Sequence, residues 1–152
     1  MKFEKYTQTA NSILKEIAEE LGFPNDIDLS GRILRAVLHT LRSRLTIQES
    51  FQLMAQLPML LKAIYVEGWK YQEKPTRIKN IGEFIREVIH EDQPLGHHDI
   101  RTVKDGENVI RTVFKVIRNH VSEGEITHII MSMPAELRPL WGLKDKMRTA
   151  SP

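Results

Sequence analysis

The chain has 152 residues, 41% hydrophobic and 28% charged, which is enough apolar material for one buried core and far from the composition of a disordered segment. It contains no cysteine, which excludes disulfides, thiolate nucleophiles and sulfur-based zinc sites and fits a cytoplasmic protein. The net charge is only +2 with both signs interspersed, so the field gives little pull on a polyanion; no apolar run reaches the roughly 20 residues of a membrane helix, and Met1 to Tyr6 has no signal-peptide character.

Tyr6, Ala10, Ile13, Leu14, Ile17, Ala18 and Leu21 recur at steps of three and four, predicting an amphipathic helix that Gly22 and Pro24 terminate. A second helix starts near Asp26 or Asp28 and turns Ile33, Leu34, Val37, Leu38, Leu41 and Leu45 inward. Thr46 with Glu49 three residues on forms a capping-box pattern for a short third helix, which runs to about Gln56. Pro58 suits the start of a fourth helix, Met59 to Glu67, closed by Gly68. The apolar period lapses over 70–79, the expected connector, and resumes after a second capping-box pattern at Asn80 and Glu83, with Phe84, Ile85, Val88 and Ile89 inward. Residues 143–152 read as a flexible tail.

A shift of 76 positions lays Ile33 to Tyr65 on Val109 to Trp141 without a gap. Arg35 and Arg111, Val37 and Val113, Arg42 and Arg118, Glu49 and Glu125, Pro58 and Pro134, and Leu61 and Leu137 are identical. Ser122 and Glu125 repeat the capping pattern, and Pro134 repeats the helix start. Matching caps and a matching buried stripe act through the same local backbone physics, so both segments are expected to fold alike. The expectation is an all-α chain, a duplicated helical unit in one compact bundle of about eight helices, tandem or pseudo-twofold. It forms a single domain over 1–152 with repeats at 4–69 and 80–142.

Ala55-Gln56-Leu57-Pro58, followed by Tyr65-Val66-Glu67-Gly68-Trp69 and preceded by Leu34-Arg35-Ala36-Val37-Leu38, resembles a bacterial family numbered 2267 among domains of unknown function. The resemblance covers nearly the whole chain, with a weaker echo at Ser132-Met133-Pro134 to Leu140-Trp141. It implies a duplicated helical fold in a prokaryotic cytoplasm, and it implies no activity and no site residues.

Two constellations bear on chemistry. His90, Glu91 and Asp92 with His97, His98 and Asp99 form the one dense group of metal-type ligands, although their spacing matches no standard site and a solvated polar loop is the simpler reading. Arg35, His39 and Arg42, with counterparts Arg111, Lys115 and Arg118, form basic stripes opposite the apolar face; Arg35, Arg42, Arg111 and Arg118 are the candidate phosphate contacts, and helix C-terminal charge compensation is the simpler reading. Tyr65, Trp69 and Trp141 read as core. Phosphate loops, dinucleotide fingerprints and nucleophile elbows are missing, so no catalytic residue is nominated and no cofactor is called for. The expected function is a small helical interaction or scaffold module with a protein partner or itself. Nucleic-acid binding through the arginines and a metal-dependent enzyme using the loop from His90 to His98 stand behind it.

Overall fold

The computed structural model describes residues 2–142; the expected tail at 143–152 lies outside the described residues. In chain order the elements are α1 (Glu4–Leu21), α2 (Ile27–Arg44), α3 (Ile47–Gln56), α4 (Met59–Val66), α5 (Ile81–Glu91), α6 (Gly96–Asp99), α7 (Val103–Asn119), α8 (Glu123–Ser132) and a 3-10 helix (Arg138–Trp141). No strand occurs among the described residues.

The helix ends follow from local chemistry. Gly22 closes α1 in a left-handed conformation (φ +86°). The Asp26 carboxylate accepts the Leu29 N–H at 3.0 Å, and the Thr102 hydroxyl accepts that of Asp105 at 3.0 Å, fixing the starts of α2 and α7. At Thr46 the capping box is reciprocal: its hydroxyl accepts the Glu49 N–H, and the Glu49 carboxylate accepts the Thr46 N–H. The other two capping patterns are only half made. The Glu83 carboxylate accepts the Lys79 N–H instead of that of Asn80, and the Ser122 hydroxyl spends its own proton on the Glu125 carboxylate.

α2 and α7 form the centre. Ala36 to Leu41 is buried without interruption, and Val109, Ile110, Thr112, Val113, Phe114, Val116 and Ile117 are buried on α7, so each helix is covered on most of its circumference. α2 packs on α1, α4, α5 and α7, and α7 also packs on α1, α5 and the 3-10 helix; α3 and α8 pack on each other. Among the described residues no helix is long and apolar enough to cross a membrane.

Positions 76 apart make the same long-range bond. Arg42 Nη1 donates to the Tyr65 carbonyl at 2.7 Å, and Arg118 Nη1 donates to the Trp141 carbonyl at 2.7 Å. The match fails where the sequence predicts a full helix after Pro134, because only the 3-10 turn forms. Pro139 stands where the first unit has Ala63, and it has no N–H to continue an α-helical ladder. The segment 70–79 is laid along the end of α2. The Ser43 carbonyl accepts the Thr76 N–H, Arg44 Nε donates to the Ile78 carbonyl, and Ile78 is buried.

Two glycines separate space from propensity. A Cβ on Gly106 would lie 2.5 Å from Ile85 Cγ2, whereas one on Gly31 meets nothing within 4 Å. Gly106→Ala is expected to lower stability by about 1–3 kcal/mol, and Gly31→Ala to raise it by about 0.4–1 kcal/mol. Urea denaturation of both variants checks this; equal effects in the two would contradict the packing.

Candidate functional site

The first turns of α2 and α7 border an open cleft of about 450 Å³. Each helix faces it with the same three positions of the 76-residue register: Leu29, Arg32 and Ile33 on α2, and Asp105, Asn108 and Val109 on α7. Steps of three and four put each triplet on one helix face. The walls differ in character. The segment from the end of α1 into α2 gives most of the apolar lining, Leu21, Phe23, Leu29 and Ile33, together with Asp26 and Arg32, and Phe23 is 58% exposed; the segment from α6 into α7 gives His98, Asp99, Arg101, Asp105 and Asn108 with Val109.

A charged chain of contacts underlies the polar wall. Arg32 donates through Nε to Asp99 Oδ2 at 3.0 Å and through Nη2 to Asp99 Oδ1 at 3.1 Å, a bidentate pair in which the carboxylate side chain is only 2% exposed. Behind Asp99 lies Asp92, whose buried Oδ2 has no hydrogen-bond partner among the described residues. Burial above all, then the hydrogen bond with Asp99 and that group's charge, pushes the Asp92 carboxyl up to about 7, against the pull of Arg32. Burial acts on Asp99 in the same sense, but the hydrogen bonds from Arg32 and Asp92 and the nearby positive charge leave it below the usual carboxylate range. As pH falls below about 7 the pair takes up one proton, favoured on Asp92, while Asp99 stays the carboxylate facing the guanidinium. Asp92 is not on the cleft lining, so its proton serves the pair rather than anything in the cleft.

Residues 10–140 match the family described as Uncharacterized conserved protein (DUF2267). The chain belongs to this family. The match runs from α1 into the 3-10 helix, so both walls of the cleft fall inside it. No curated protein matches the chain. DUF2267 membership brings no assigned activity, so the chemistry is read from the side chains.

The four arginines singled out in the sequence all have internal partners in this DUF2267 chain. Arg42 donates to the Tyr65 and Glu67 carbonyls, both at 2.7 Å, with its guanidinium 6.0 Å from the Trp69 ring centre. Arg118 holds the Trp141 carbonyl, Arg111 the Pro139 carbonyl at 2.9 Å and Glu107 at 3.4 Å, and Arg35 lies 3.5 Å from Glu67. His39 departs from the exposed basic stripe the period predicts. It is 4% exposed with Nε2 2.7 Å from the Ile64 carbonyl, because α4 covers that side of α2, and burial holds its imidazole below its ordinary value. The histidine loop is dispersed as well. His90 is exposed in the last turn of α5, His97 and His98 are exposed on α6, and Asp99 is taken by Arg32. Among the described residues no group of three or more His, Cys, Asp or Glu is gathered so as to hold a metal ion.

Arg32 and Phe23 were not among the residues the sequence nominated. The helices that carry the cleft start 76 positions apart, at Ile27 and Val103, but Leu29 to Arg32 and Asp105 to Asn108 share no residue, so the sequence held no repeat signal there.

A carboxyl with a raised folded-state value takes up a proton on folding. The Asp92 contribution to stability is therefore complete below its ordinary 3.8 and is lost as pH rises to about 7. His39 runs the opposite way, its contribution being lost as pH falls below 6.5. The stability difference between wild type and Asp92→Asn, from urea titrations between pH 4 and 8, is expected to shrink steadily up to about pH 7 and then level off. A difference independent of pH would show that Asp92 is ionised throughout.

Proposed function

We propose that the protein is a binding module that holds a small ligand in the cleft between α2 and α7. The observation that carries this reading is the convergence of corresponding helix positions, 76 apart, on one opening lined by both apolar and polar side chains. Ligand sites combine apolar walls with a few fixed polar groups, and they occur between helices of bundles. A volume near 450 Å³ suits a metabolite-sized molecule. The paired use of Arg42 and Arg118, and of the cleft triplets, supports treating the units as copies of one ancestral unit. A bacterial cytoplasm is the setting we assign to it. The internal partners of Arg35, Arg42, Arg111 and Arg118 weigh against nucleic acid as the ligand.

Val109→Trp tests the reading by filling the cleft from α7, where Val109 is already 6% exposed and borders the opening. Ligand-observed NMR of a fragment library against both proteins is expected to give hits on the wild type that the variant loses while it keeps its helical content. Hits unaffected by the substitution would place binding elsewhere and sink the proposal.

A second reading, self-association, has its own observation. Phe51 on α3 and Met131 on α8 are 59% and 62% exposed, and they immediately precede Gln52 and Ser132, whose side chains are hydrogen bonded to each other at 2.9 Å across the α3–α8 seam. Two large apolar side chains flanking one seam are a candidate contact for a second copy of the chain. Sedimentation velocity is expected to show a dimer that Phe51→Glu reduces to monomer; a wild-type monomer at high concentration would end this reading.

A further inference from the structure

We infer that the cleft receives a small amphiphilic anion, an organic carboxylate or phosphate monoester with a short apolar body, whose charge lies between Arg101 and the open edge of Arg32 and whose body rests on Phe23, Leu29 and Ile33. The inference rests on the binding reading and specifies its ligand.

The sign of the ligand charge follows from asking which charged groups at the cleft already have a structural task. Asp26 caps α2 through the bond its carboxylate accepts from the Leu29 N–H. Asp99 is held by both nitrogens on one edge of Arg32, and Asp105 sits in the first turn of α7, where negative charge meets the positive end of the helix. Each carboxylate on the lining is thus accounted for by the fold.

The cations keep unused donors. Arg101 is exposed and has neither a hydrogen bond nor an ion pair among the described residues. It stands immediately before Thr102, the N-cap of α7, so its guanidinium lies at the end of a helix dipole that disfavours a cation. Arg32 is one-third exposed, and its Nη1, the nitrogen not used by Asp99, has no partner among the described residues. Two guanidinium edges without partners line the same opening, and Asn108 lines it as a neutral donor, a set of groups that matches the oxygens of a carboxylate or phosphate. The bidentate grip of Asp99 fixes the Arg32 plane, so that edge is preorganised rather than swinging free.

The opposite wall decides the rest of the ligand. Phe23 is a large apolar ring left 58% exposed next to Leu21 and Leu29, and a purely inorganic anion would leave that surface wet. An apolar body of a few carbons joined to the anionic head covers it.

The test uses the full chain, 15N-labelled, titrated separately with hexanoate, hexyl phosphate, hexylamine and hexanol while amide shifts are followed. Hexanoate or hexyl phosphate is expected to shift amides over 21–33 and 98–109, and which of the two binds tighter distinguishes a carboxylate from a phosphate source. Arg101→Gln, an exposed substitution, is expected to weaken that binding about tenfold, the loss of a charge-assisted hydrogen bond. Arg32→Lys keeps the charge beside Asp99 but not the fork, and it is expected to weaken binding as well. Hexanol or hexylamine binding the cleft as tightly as hexanoate overturns the anion while leaving the cleft as a binding site. Failure of all four probes to move cleft amides overturns both. Unchanged affinity in Arg101→Gln overturns the assignment of the charge to that residue, and with it the inference.

Discussion

The organisation of this protein depends on the burial of two central helices. α2 and α7 each bury more than a single apolar stripe, with a polar stripe such as Lys104, Asn108 and Lys115 left on the surface of α7, so each must be covered on several sides at once. The remaining elements supply that cover. α4 and the 3-10 helix close equivalent sides, held by Arg42 and Arg118 through the last carbonyls of each piece, while α1 and α5 each lie against both central helices. An arginine that donates to orphan carbonyls at the end of a neighbouring helix satisfies groups that otherwise face a dry interface. That is why the same residue recurs 76 positions on.

Near their starts α2 and α7 are no longer covered, and the cleft is what remains. The polar wall there is stabilised from behind by carboxyl chemistry. Both Asp99 oxygens accept from Arg32, and burial raises Asp92 behind them towards its neutral form, which spares the site a second buried negative charge. The cleft edge therefore rests on a network set in the core rather than on mobile surface side chains.

Much of the fold was legible in the sequence because its signals are local. Gly22, Thr46 and Pro58 act on the backbone next to them, and the apolar steps of α1 and α2 fall on the faces that are buried. The misreadings have physical causes. Pro139 breaks the second copy of α4 despite the matched Pro134, because one missing N–H outweighs a conserved start. His39 read as polar surface because helical period alone does not show that α4 covers a second side of α2. The cleft was less legible still. Arg32 and Asp99 are far apart in the chain and meet only through packing, and nothing in either local segment announces the other. The loop from His90 to Arg101 did stand out as the stretch where the units differ. The structure draws His98, Asp99 and Arg101 from it into the cleft and leaves His90 and His97 outside.

The packing of α1 against α7 has a consequence for how the chain is made. α1 is synthesised before α7, yet Ile13 and Ile17 are fully buried in the core that α7 completes, and the Glu16 and Glu20 side chains bond to His120 and Lys115 near the far end of that helix. The apolar face of α1 therefore lacks its final partner until α7 has been made. Contacts so far apart in sequence carry a loop-closure cost that weighs on the folding rate.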